Sequence, residues 1–315
     1  MTDSESKQSA GGGRSVTVAT RKSPLALAQS RAWMAELRQK TRVETRELLV
    51  VTTGDRITDR PLQEVGGKAL FLKEIEEALL AGEADLAVHS LKDVPAQLAS
   101  GLLIGCVPRR EDPRDAIRTR TGCSFLELPA GAKVGTSSLR RSVQLRALRP
   151  DLEFVPLRGN VDTRLRRCDE GVVDAVVLAH AGLLRLGRAD QVTELLSLDV
   201  CIPAVGQGAL GIEIRSGDDA ILSLVSELED FETAIATATE RGVLIAVDGS
   251  CQVPVAAHAE HVGSELRLRA LLAEPDGSNL RREELRCSWP ETLQRAQDVG
   301  AMVGRALRAG AKASA

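Results

Sequence analysis

The stretch LAVHSLKDVP, residues 86–95, passes from a short apolar run directly into polar side chains. An apolar run of this length predicts a buried strand. Such a strand normally ends in a turn residue such as Gly or Asn, whereas this one ends in a His, a Ser, a Lys and an Asp before Pro95 closes the segment. These side chains form either a solvated loop or part of a binding site, and the segment alone does not decide between the two.

Strands and helices alternate on both sides of this stretch. Residues 16–19 and 48–51 have the pattern of strands, and residues 24–40 and 70–82 have the pattern of helices. This alternation is typical of a parallel sheet with right-handed crossovers. The first hundred or so residues therefore predict one α/β domain.

The same alternation repeats further along the chain. Strands are predicted at 133–135, 153–157 and 175–179, with a helix between each pair. Prolines break the pattern at 108–115, which we expect to join the two domains, and the Pro- and Gly-marked stretch 201–211 leads back towards the first domain. The last part of the chain changes to a helix, three strands and a long terminal helix, which predicts a third, α+β domain.

The composition argues against nucleic-acid and membrane partners. The 315 residues include 41 basic and 44 acidic side chains and carry a net charge of -3, so no overall field attracts DNA or a lipid surface. Aromatic residues make up 2% and Tyr is absent, which leaves almost no platform for base stacking. No apolar run is long enough to span a bilayer. We therefore expect no nucleic acid and no membrane among the partners.

The six cysteines are widely separated and form neither a CxxC pair nor a Cys/His ligand pattern. They are residues 106, 123, 168, 201, 251 and 287. No disulfide framework and no metal are therefore predicted, and a reducing cytoplasm is the natural setting. The polar, Gly-rich residues 1–14 lack the apolar core of a signal peptide and are predicted to be a disordered leader. The predicted localisation is cytoplasmic.

Polar side chains gather where the predicted strands end, which is where ligands bind in parallel α/β sheets. They are Arg21, Ser23, Lys68, Ser90, Lys92 and Asp93 in the first domain and Thr136, Ser138, Arg140, Arg141, Arg158, Arg164 and Arg185 in the second. Fixed guanidinium groups suit carboxylates, and no phosphate-binding Gly-rich loop follows any strand. Two interpretations stay open: a cleft for a small ligand with several carboxylates, or helix-start arginines paired with Asp and Glu.

Two single residues stand out. Asp93 is a carboxylate among cations, suited to stabilising a developing cation or exchanging protons with an amine or a pyrrole N–H. The alternative is an Asp that caps its own loop. Its neighbour Lys92 would project to the opposite side if the backbone there is extended. Cys251, in DGSCQVP (248–254), is expected on a tight turn, where an exposed thiol is suited to a covalent tether.

Eight motifs along the chain resemble, in order, those of the porphobilinogen deaminase family, also called hydroxymethylbilane synthases. They are ATRKSPLALAQ (19–29), VGGKALF (65–71), LAVHSLKDVP (86–95), EDPRDA (111–116), VGTSSLRR (134–141), LRGNVDTRL (157–165), PAVGQGALGIE (203–213) and CQVP (251–254). The resemblance covers nearly the whole chain apart from the leader.

The resemblance implies an α/β fold with two lobes like those of periplasmic binding proteins, both with parallel-rich sheets, and a smaller α+β C-terminal domain. The expected domains are the leader at 1–14, a first domain at 15–108 completed by about 205–228, a second at 112–202 and a third at 230–315. The implied activity is that of a transferase of tetrapyrrole and haem biosynthesis: it condenses four porphobilinogen molecules head to tail, with loss of ammonia, and hydrolysis then releases linear hydroxymethylbilane. A non-catalytic two-lobe protein that binds carboxylates is the alternative.

In this family a dipyrromethane cofactor is attached through a thioether to a cysteine, which corresponds to Cys251 here, and Asp93 matches the catalytic carboxylate. The resemblance implies that the cofactor is bound by Ser90, Lys92, Asp93, Thr136, Ser138, Arg140, Arg141 and Arg164, and the substrate by Arg21, Ser23, Lys68, Arg158, Arg164 and Arg185. It further implies a monomer whose small-molecule substrate is porphobilinogen, with a transient hand-over of product to uroporphyrinogen-III synthase.

Overall fold

A computed structural model describes residues 15–56, 72–247 and 253–310. Its strands are β1 (Ser15–Arg21), β2 (Glu44–Val50), β3 (Leu86–Ser90), β4 (Leu102–Cys106), β5 (Asp115–Thr119), β6 (Lys133–Gly135), β7 (Glu153–Val155), β8 (Ala175–Ala179), β9 (Glu194–Leu195), β10 (Leu210–Arg215), β11 (Val255–Val262), β12 (Glu265–Leu272) and β13 (Arg281–Ser288). Its helices are α1 (Pro24–Thr41), α2 (Thr53–Arg56), α3 (Lys73–Leu80), α4 (Leu139–Leu148), α5 (Val161–Asp169), α6 (His180–Arg185), α7 (Asp219–Ser226), α8 (Phe231–Ala246) and α9 (Leu293–Ala309). Short 3₁₀ turns lie at Leu91–Asp93 and Ala189–Gln191.

The first sheet has five strands in the order β2-β1-β3-β10-β4. Strands β1, β2 and β3 are parallel, whereas β10 runs antiparallel to both of its neighbours. Val18 packs with Trp33 of α1 on one face, and Ala19 packs with Leu79 of α3 on the other. Because helices cover both faces, the central strand β3 is buried along most of its length. We call this sheet and its helices the first lobe.

The second sheet repeats this arrangement in the order β7-β6-β8-β5-β9. Strands β6, β7 and β8 are parallel, and β5 runs antiparallel to both β8 and β9. We call this sheet, with α4, α5 and α6, the second lobe. The prediction of two α/β lobes with parallel-rich sheets is confirmed.

The chain passes between the lobes through two segments, which we call the crossovers. Residues 107–114 lead out to β5, and residues 203–209 lead back to β10, so each crossover supplies the antiparallel strand of the sheet it enters. The two segments touch, because the N–H of Glu111 donates to the carbonyl of Gly208 over 3.3 Å. Gly208 has a φ of +90°, and a Cβ there would lie 2.3 Å from the Glu111 oxygen. Only glycine allows the crossovers to pack this closely.

The C-terminal part of the chain forms a three-stranded antiparallel sheet, β11-β12-β13, with α8 and α9 on one face. The two helices pack very closely, since a Cβ at Gly300 would lie 1.8 Å from the Thr239 oxygen and a Cβ at Gly242 would lie 2.1 Å from that of Gln297. The prediction of a smaller α+β domain is confirmed. We call it the third domain.

Predicted elements are present, with shifted ends. The strand predicted at 48–51 is β2, which begins four residues earlier at Glu44. The strand predicted at 153–157 ends at Val155, and the described part of the second helix begins at Lys73. The exact domain boundaries stay a prediction. None of the helices in the described ranges combines the length and the apolar character needed to cross a membrane.

Candidate functional site

Strand β3 ends in a turn that holds Lys92 and Asp93 at the surface of the first lobe. Leu91 and Val94 are buried, whereas the two residues between them are half-buried. The N–H of Leu91 donates to the carbonyl of Ala209 over 3.0 Å, which ties the turn to the returning crossover. The backbone is a 3₁₀ turn and not the extended chain on which Lys92 was expected to point away from Asp93. Neighbouring side chains in such a turn diverge by about 120°.

Ser90 precedes this turn and is held by Gln29 of α1. The Gln29 amide nitrogen Nε2 donates to Ser90 Oγ over 2.8 Å, and Ser90 Oγ donates to Gln29 Oε1 over 3.1 Å. Gln29 is buried. It was not among the predicted site residues, although it is the last residue of the motif ATRKSPLALAQ. Gln29 directly follows the apolar run PLALA (24–28) on α1, and a polar residue at that place could have indicated this contact.

The second lobe contributes the segment that enters α4. Thr136 is buried, and its Oγ1 accepts a hydrogen bond from the N–H of Ser138 over 3.2 Å. Ser138 is the residue that precedes α4, but its side chain accepts no capping hydrogen bond from the helix. The half-buried Ser138 hydroxyl therefore does not cap α4.

Arg140 and Arg141 both bind Asp115, the first residue of β5. Arg140 Nη1 lies 2.6 Å from Asp115 Oδ2, and Arg141 Nη2 lies 2.7 Å from Oδ1. Each arginine is 6% exposed and the aspartate is 0% exposed. Burial alone would raise the pKa of Asp115, but the two guanidinium charges outweigh it and hold that pKa well below its usual range. Arg140 and Arg141 are thus helix-start arginines paired with an aspartate, which is the second interpretation given for the sequence. Because two arginines share one aspartate, Asp115 leaves one positive charge uncompensated.

Arg164, on α5 of the second lobe, interacts electrostatically with Asp93 of the first lobe. Burial and the charges of Arg141 and Arg158 lower the pKa of Arg164 to about 10, while Asp93 acts on it in the opposite direction. Arg164 Nε also donates to the carbonyl of Gly159 over 2.8 Å. The structure therefore brings a carboxylate from the first lobe and three arginines from the second into one electrostatic neighbourhood.

Lys92 lies in the same neighbourhood. Its pKa is lowered to about 8, first by burial and then by the charges of Arg141 and Arg140, against the opposing effects of Asp93 and Asp115. Both depressed pKa values arise first from burial, and the charges of neighbouring arginines lower them further.

A narrow cavity between the lobes adjoins these groups. Residues of both lobes and of the returning crossover line it: Leu25, Gln29, Ser90, Lys92, Ala179, Ala181, Gly182, Arg185, Gly208 and Ala209. Arg185 Nη2 donates to the carbonyl of Gly208 over 2.7 Å, and burial lowers the pKa of this arginine. Arg185 is therefore a cation held against the crossover.

The remaining predicted residues lie where β1 leads into α1 or outside the described ranges. Ser23 is the N-cap of α1, where its Oγ accepts from the N–H of Ala26 over 3.3 Å. Arg21 is half-buried at the end of β1. Lys68 and Cys251 fall outside the described residues. Across the three described ranges, no cluster of His, Cys, Asp and Glu could hold a metal ion.

Comparison with known proteins identifies the family. The profile described as "Porphobilinogen deaminase, dipyromethane cofactor binding domain" matches residues 16–223, and "Porphobilinogen deaminase, C-terminal domain" matches residues 234–309. The chain belongs to the porphobilinogen deaminase family. It is 58% identical over 296 residues to the porphobilinogen deaminase of Sorangium cellulosum, covering 94% of this chain and 99% of that protein. It is 50% identical over 299 residues to that of Syntrophotalea carbinolica, covering 93% and 92%.

Solved structures similar to this chain include periplasmic binding domains. A periplasmic substrate-binding protein of an ABC transporter from Coxiella burnetii is 13% identical, with a TM-score of 0.43, over 72% of this chain and 96% of that one. The VFT2 domain of Bordetella pertussis BvgS, as a double mutant, is 16% identical with a TM-score of 0.42, over 68% and 86%.

The described residues fit the dipyrromethane cofactor of a porphobilinogen deaminase. Each pyrrole ring of this cofactor carries two carboxylates, which need cationic partners. Arg141 uses three of its five guanidinium N–H groups on Asp115 and on the carbonyl of Val177, which leaves one on each terminal nitrogen with no acceptor among the described residues. A carboxylate ligand would offset the burial and the like charges that lower the pKa values of Lys92 and Arg164.

Proposed function

We propose that the cleft between the two lobes is the active site and that Asp93 is its catalytic carboxylate. The chain is a hydroxymethylbilane synthase, a transferase that condenses four porphobilinogen molecules and then releases the linear product by hydrolysis. The observation that carries this assignment is the position of Asp93: it is half-buried beside Lys92 and interacts with Arg164 of the opposite lobe.

The chemistry needs a carboxylate at this place. When the substrate loses ammonia from its aminomethyl group, positive charge develops on the pyrrole ring and its N–H. The Asp93 carboxylate accepts a hydrogen bond from that N–H and stabilises the cation, and it can take up the proton released when the new carbon–carbon bond forms. The partly dry setting between the lobes strengthens these electrostatic interactions.

The cations around Asp93 hold the carboxylates of the cofactor and of the substrate in position. Each porphobilinogen carries an acetate and a propionate, and planar guanidinium groups bind such groups bidentately. We assign this role to Arg141, Arg158 and Arg164 from the second lobe and to Lys92 from the first. Thr136, Ser138 and Ser90 add hydroxyl donors beside them, with Arg140, Arg185, Arg21, Ser23 and Lys68 completing the proposed set.

Cys251 is the proposed attachment point of the cofactor, which supplies the pyrrole carbon to which the first substrate is joined. The residue lies between α8, which ends at Ala246, and β11, which begins at Val255. Glu240 of α8 accepts a hydrogen bond from the N–H of Gly206 over 2.7 Å, so the helix that precedes Cys251 is fixed to the returning crossover. This contact joins the domain that carries Cys251 to the returning crossover.

Intact-mass spectrometry together with ammonia release tests the proposal. We expect the purified protein to carry an adduct that maps to Cys251, and porphobilinogen to add further mass in steps while ammonia is released. Cys251→Ser should abolish both signals, whereas Cys287→Ser, a change of a half-buried thiol in the same domain, should leave them intact. An unmodified but fully active chain would exclude the tether. Binding of porphobilinogen without ammonia release would favour the non-catalytic carboxylate-binding alternative.

We also propose a cytoplasmic location and a monomeric state for the protein. The wide separation of the cysteines and the five unpaired thiols among the described residues support a reducing, cytoplasmic setting. A monomer that hands its product to uroporphyrinogen-III synthase is consistent with the family. Light scattering of the purified protein and a coupled assay with the synthase would test these two points.

A further inference from the structure

Asp115 lies where both crossovers meet the second lobe. It follows directly on the outgoing crossover and begins β5. Gln207 of the returning crossover donates from Nε2 to Asp115 Oδ1 over 2.9 Å and to the carbonyl of Pro113 over 2.7 Å. Both crossovers are thus joined through one buried carboxylate and one buried amide.

The same carboxylate fixes the orientation of Arg141. Asp115 Oδ1 accepts from Arg141 Nε over 3.0 Å and from Nη2 over 2.7 Å. The carbonyl of Val177 holds Nη1 from the other side over 3.1 Å. With its Nε and one edge of the fork fixed, the guanidinium has a single orientation, and its two remaining N–H groups point away from Asp115.

Arg140 completes the cluster and connects it to Gln207. Its Nη1 donates to the carbonyl of Ile202 over 2.8 Å, and its Nη2 donates to Gln207 Oε1 over 3.2 Å. Gln207 therefore contacts both the aspartate and one of its two arginines. The arrangement is a closed ring of hydrogen bonds, and every member is buried.

We propose that Asp115 is a positioning residue for carboxylate binding: it touches neither cofactor nor substrate, but it fixes Arg141 in the orientation that the ligand carboxylates need and links that orientation to the two crossovers through Gln207. This inference rests on the proposed function of the cleft. It assigns to the second aspartate of the motif EDPRDA a role that acts through Arg141, whereas Asp93 acts on the reacting rings directly.

Asp115 also influences the charge of Lys92. The charged groups that act on Lys92 are Asp93 beside it, Arg141 and Arg140 of α4, and Asp115 behind those arginines. Asp115 and Asp93 raise the pKa of Lys92, and the arginines lower it. Loss of the Asp115 charge should therefore lower this pKa further, which gives a readout that a purely structural role would not change.

The variant Asp115→Asn removes the charge and keeps the shape. We expect the fraction of purified protein that carries the adduct to fall, KM for porphobilinogen to rise about 10- to 100-fold, and kcat to change far less, because the lost contacts orient the carboxylate-binding group. We also expect the alkaline rise of KM, which follows deprotonation of Lys92, to move to lower pH. The matched control is Asp151→Asn, since Asp151 binds Arg149 bidentately on the surface of the same lobe. It should leave the adduct fraction, KM, kcat and the alkaline rise of KM unchanged.

A second variant covers the case in which Asp115→Asn does not fold. Gln207→Met removes one donor to Asp115 and leaves both arginine pairs, and it should raise KM about 3- to 10-fold in the same direction. A folded Asp115→Asn protein, or Gln207→Met, with unchanged adduct content and unchanged KM would overturn the role of Asp115. If the unaltered protein itself carries no adduct and releases no ammonia, the proposed function fails instead, so the two failures are distinct.

Discussion

His89 and Glu213 form a buried pair behind the turn that carries Asp93. The His89 ring nitrogen Nε2 lies 2.9 Å from Glu213 Oε2, and the two side chains are 5% and 0% exposed. They join β3 to β10, in which Ser90 is paired with Leu210. Glu213 Oε1 has no hydrogen-bond partner among the described residues. A buried carboxylate that depends so strongly on one partner makes the link between these strands sensitive to substitution.

We expect His89→Leu to destabilise the protein by about 3 kcal/mol, because it leaves Glu213 buried without its partner. The double variant His89→Leu/Glu213→Leu should recover most of that loss. Urea unfolding followed by fluorescence of Trp33, which lies in the same core as β3, measures the effect in a Trp289→Phe background. Glu232→Gln, which alters the partly exposed pair with His261, is the control and should change stability by less than about 0.5 kcal/mol. Equal losses in all variants would contradict a specific role of the buried pair.

Replacing the Asp93 carboxylate should remove catalysis and keep the fold. We expect Asp93→Asn to lower kcat by about 10²- to 10⁴-fold, the usual range for loss of a proton-transferring group, with the adduct still attached. Asp190→Asn is a matched control, because Asp190 also lies in a short 3₁₀ turn but is exposed on the second lobe. Ammonia release measures turnover, and intact mass measures the adduct. Near-normal turnover of Asp93→Asn would remove this residue from the mechanism.

Local sequence patterns predicted the elements and the strand exit, because periodicity and turn chemistry act over a few residues. Lys92 and Asp93 were found in this way. The partners of the arginines were not, since Arg140 and Arg141 bind an aspartate about 25 residues earlier in the chain. Nothing local to Asp115 indicates that contact. It arises because β5 enters the second sheet beside β8, a pairing that only the complete topology determines.

The same limit applies to the crossovers. The stretch 201–211 was expected to lead back to the first domain, but its contacts with the outgoing crossover depend on the close approach at Gly208. Gln207 was not singled out, although it lies in the motif PAVGQGALGIE. An amide gains its role here from two partners that are distant in sequence, and such pairings leave no periodic signal.

The activity should depend on the protonation of Lys92. Because its pKa is lowered to about 8, the side chain is charged below that pH and neutral well above it. We expect KM for porphobilinogen to rise as pH increases through about 8, while kcat changes less, because a neutral Lys92 no longer attracts the substrate carboxylates. Lys92→Arg should flatten this limb of the profile, since arginine stays charged. The control Lys133→Arg, at the exposed start of β6, should keep the original profile. A KM limb unchanged in Lys92→Arg would assign the pH dependence to another group.

Glu240 should make the attachment of the third domain sensitive to acid. Its carboxylate, 0% exposed, binds Arg110 of the outgoing crossover, with Nη1 2.6 Å from Oε1, and His258 Nδ1 lies 3.3 Å away. Burial alone would raise the pKa of Glu240, but the charges and hydrogen bonds of Arg110 and His258 lower it from 4.5 to about 2. Between these two pH values the unfolded chain binds more protons at this site than the folded one. The stabilisation is therefore complete above pH 4.5 and is lost as pH falls towards 2.

We expect Glu240→Gln to cost about 3 kcal/mol at pH 7 and to remove this part of the acid dependence, because Arg110 is left buried without its counter-charge. Trp289 packs against the core of the third domain, so its fluorescence in a Trp33→Phe background reports on that domain during urea unfolding at pH 3, 5 and 7. Glu284→Gln is the matched control, since Glu284 binds Arg267 on the exposed face of the same domain. It should change stability by less than about 1 kcal/mol at every pH. If Glu240→Gln loses stability with acid as steeply as the unaltered protein, the acid dependence comes from other carboxylates.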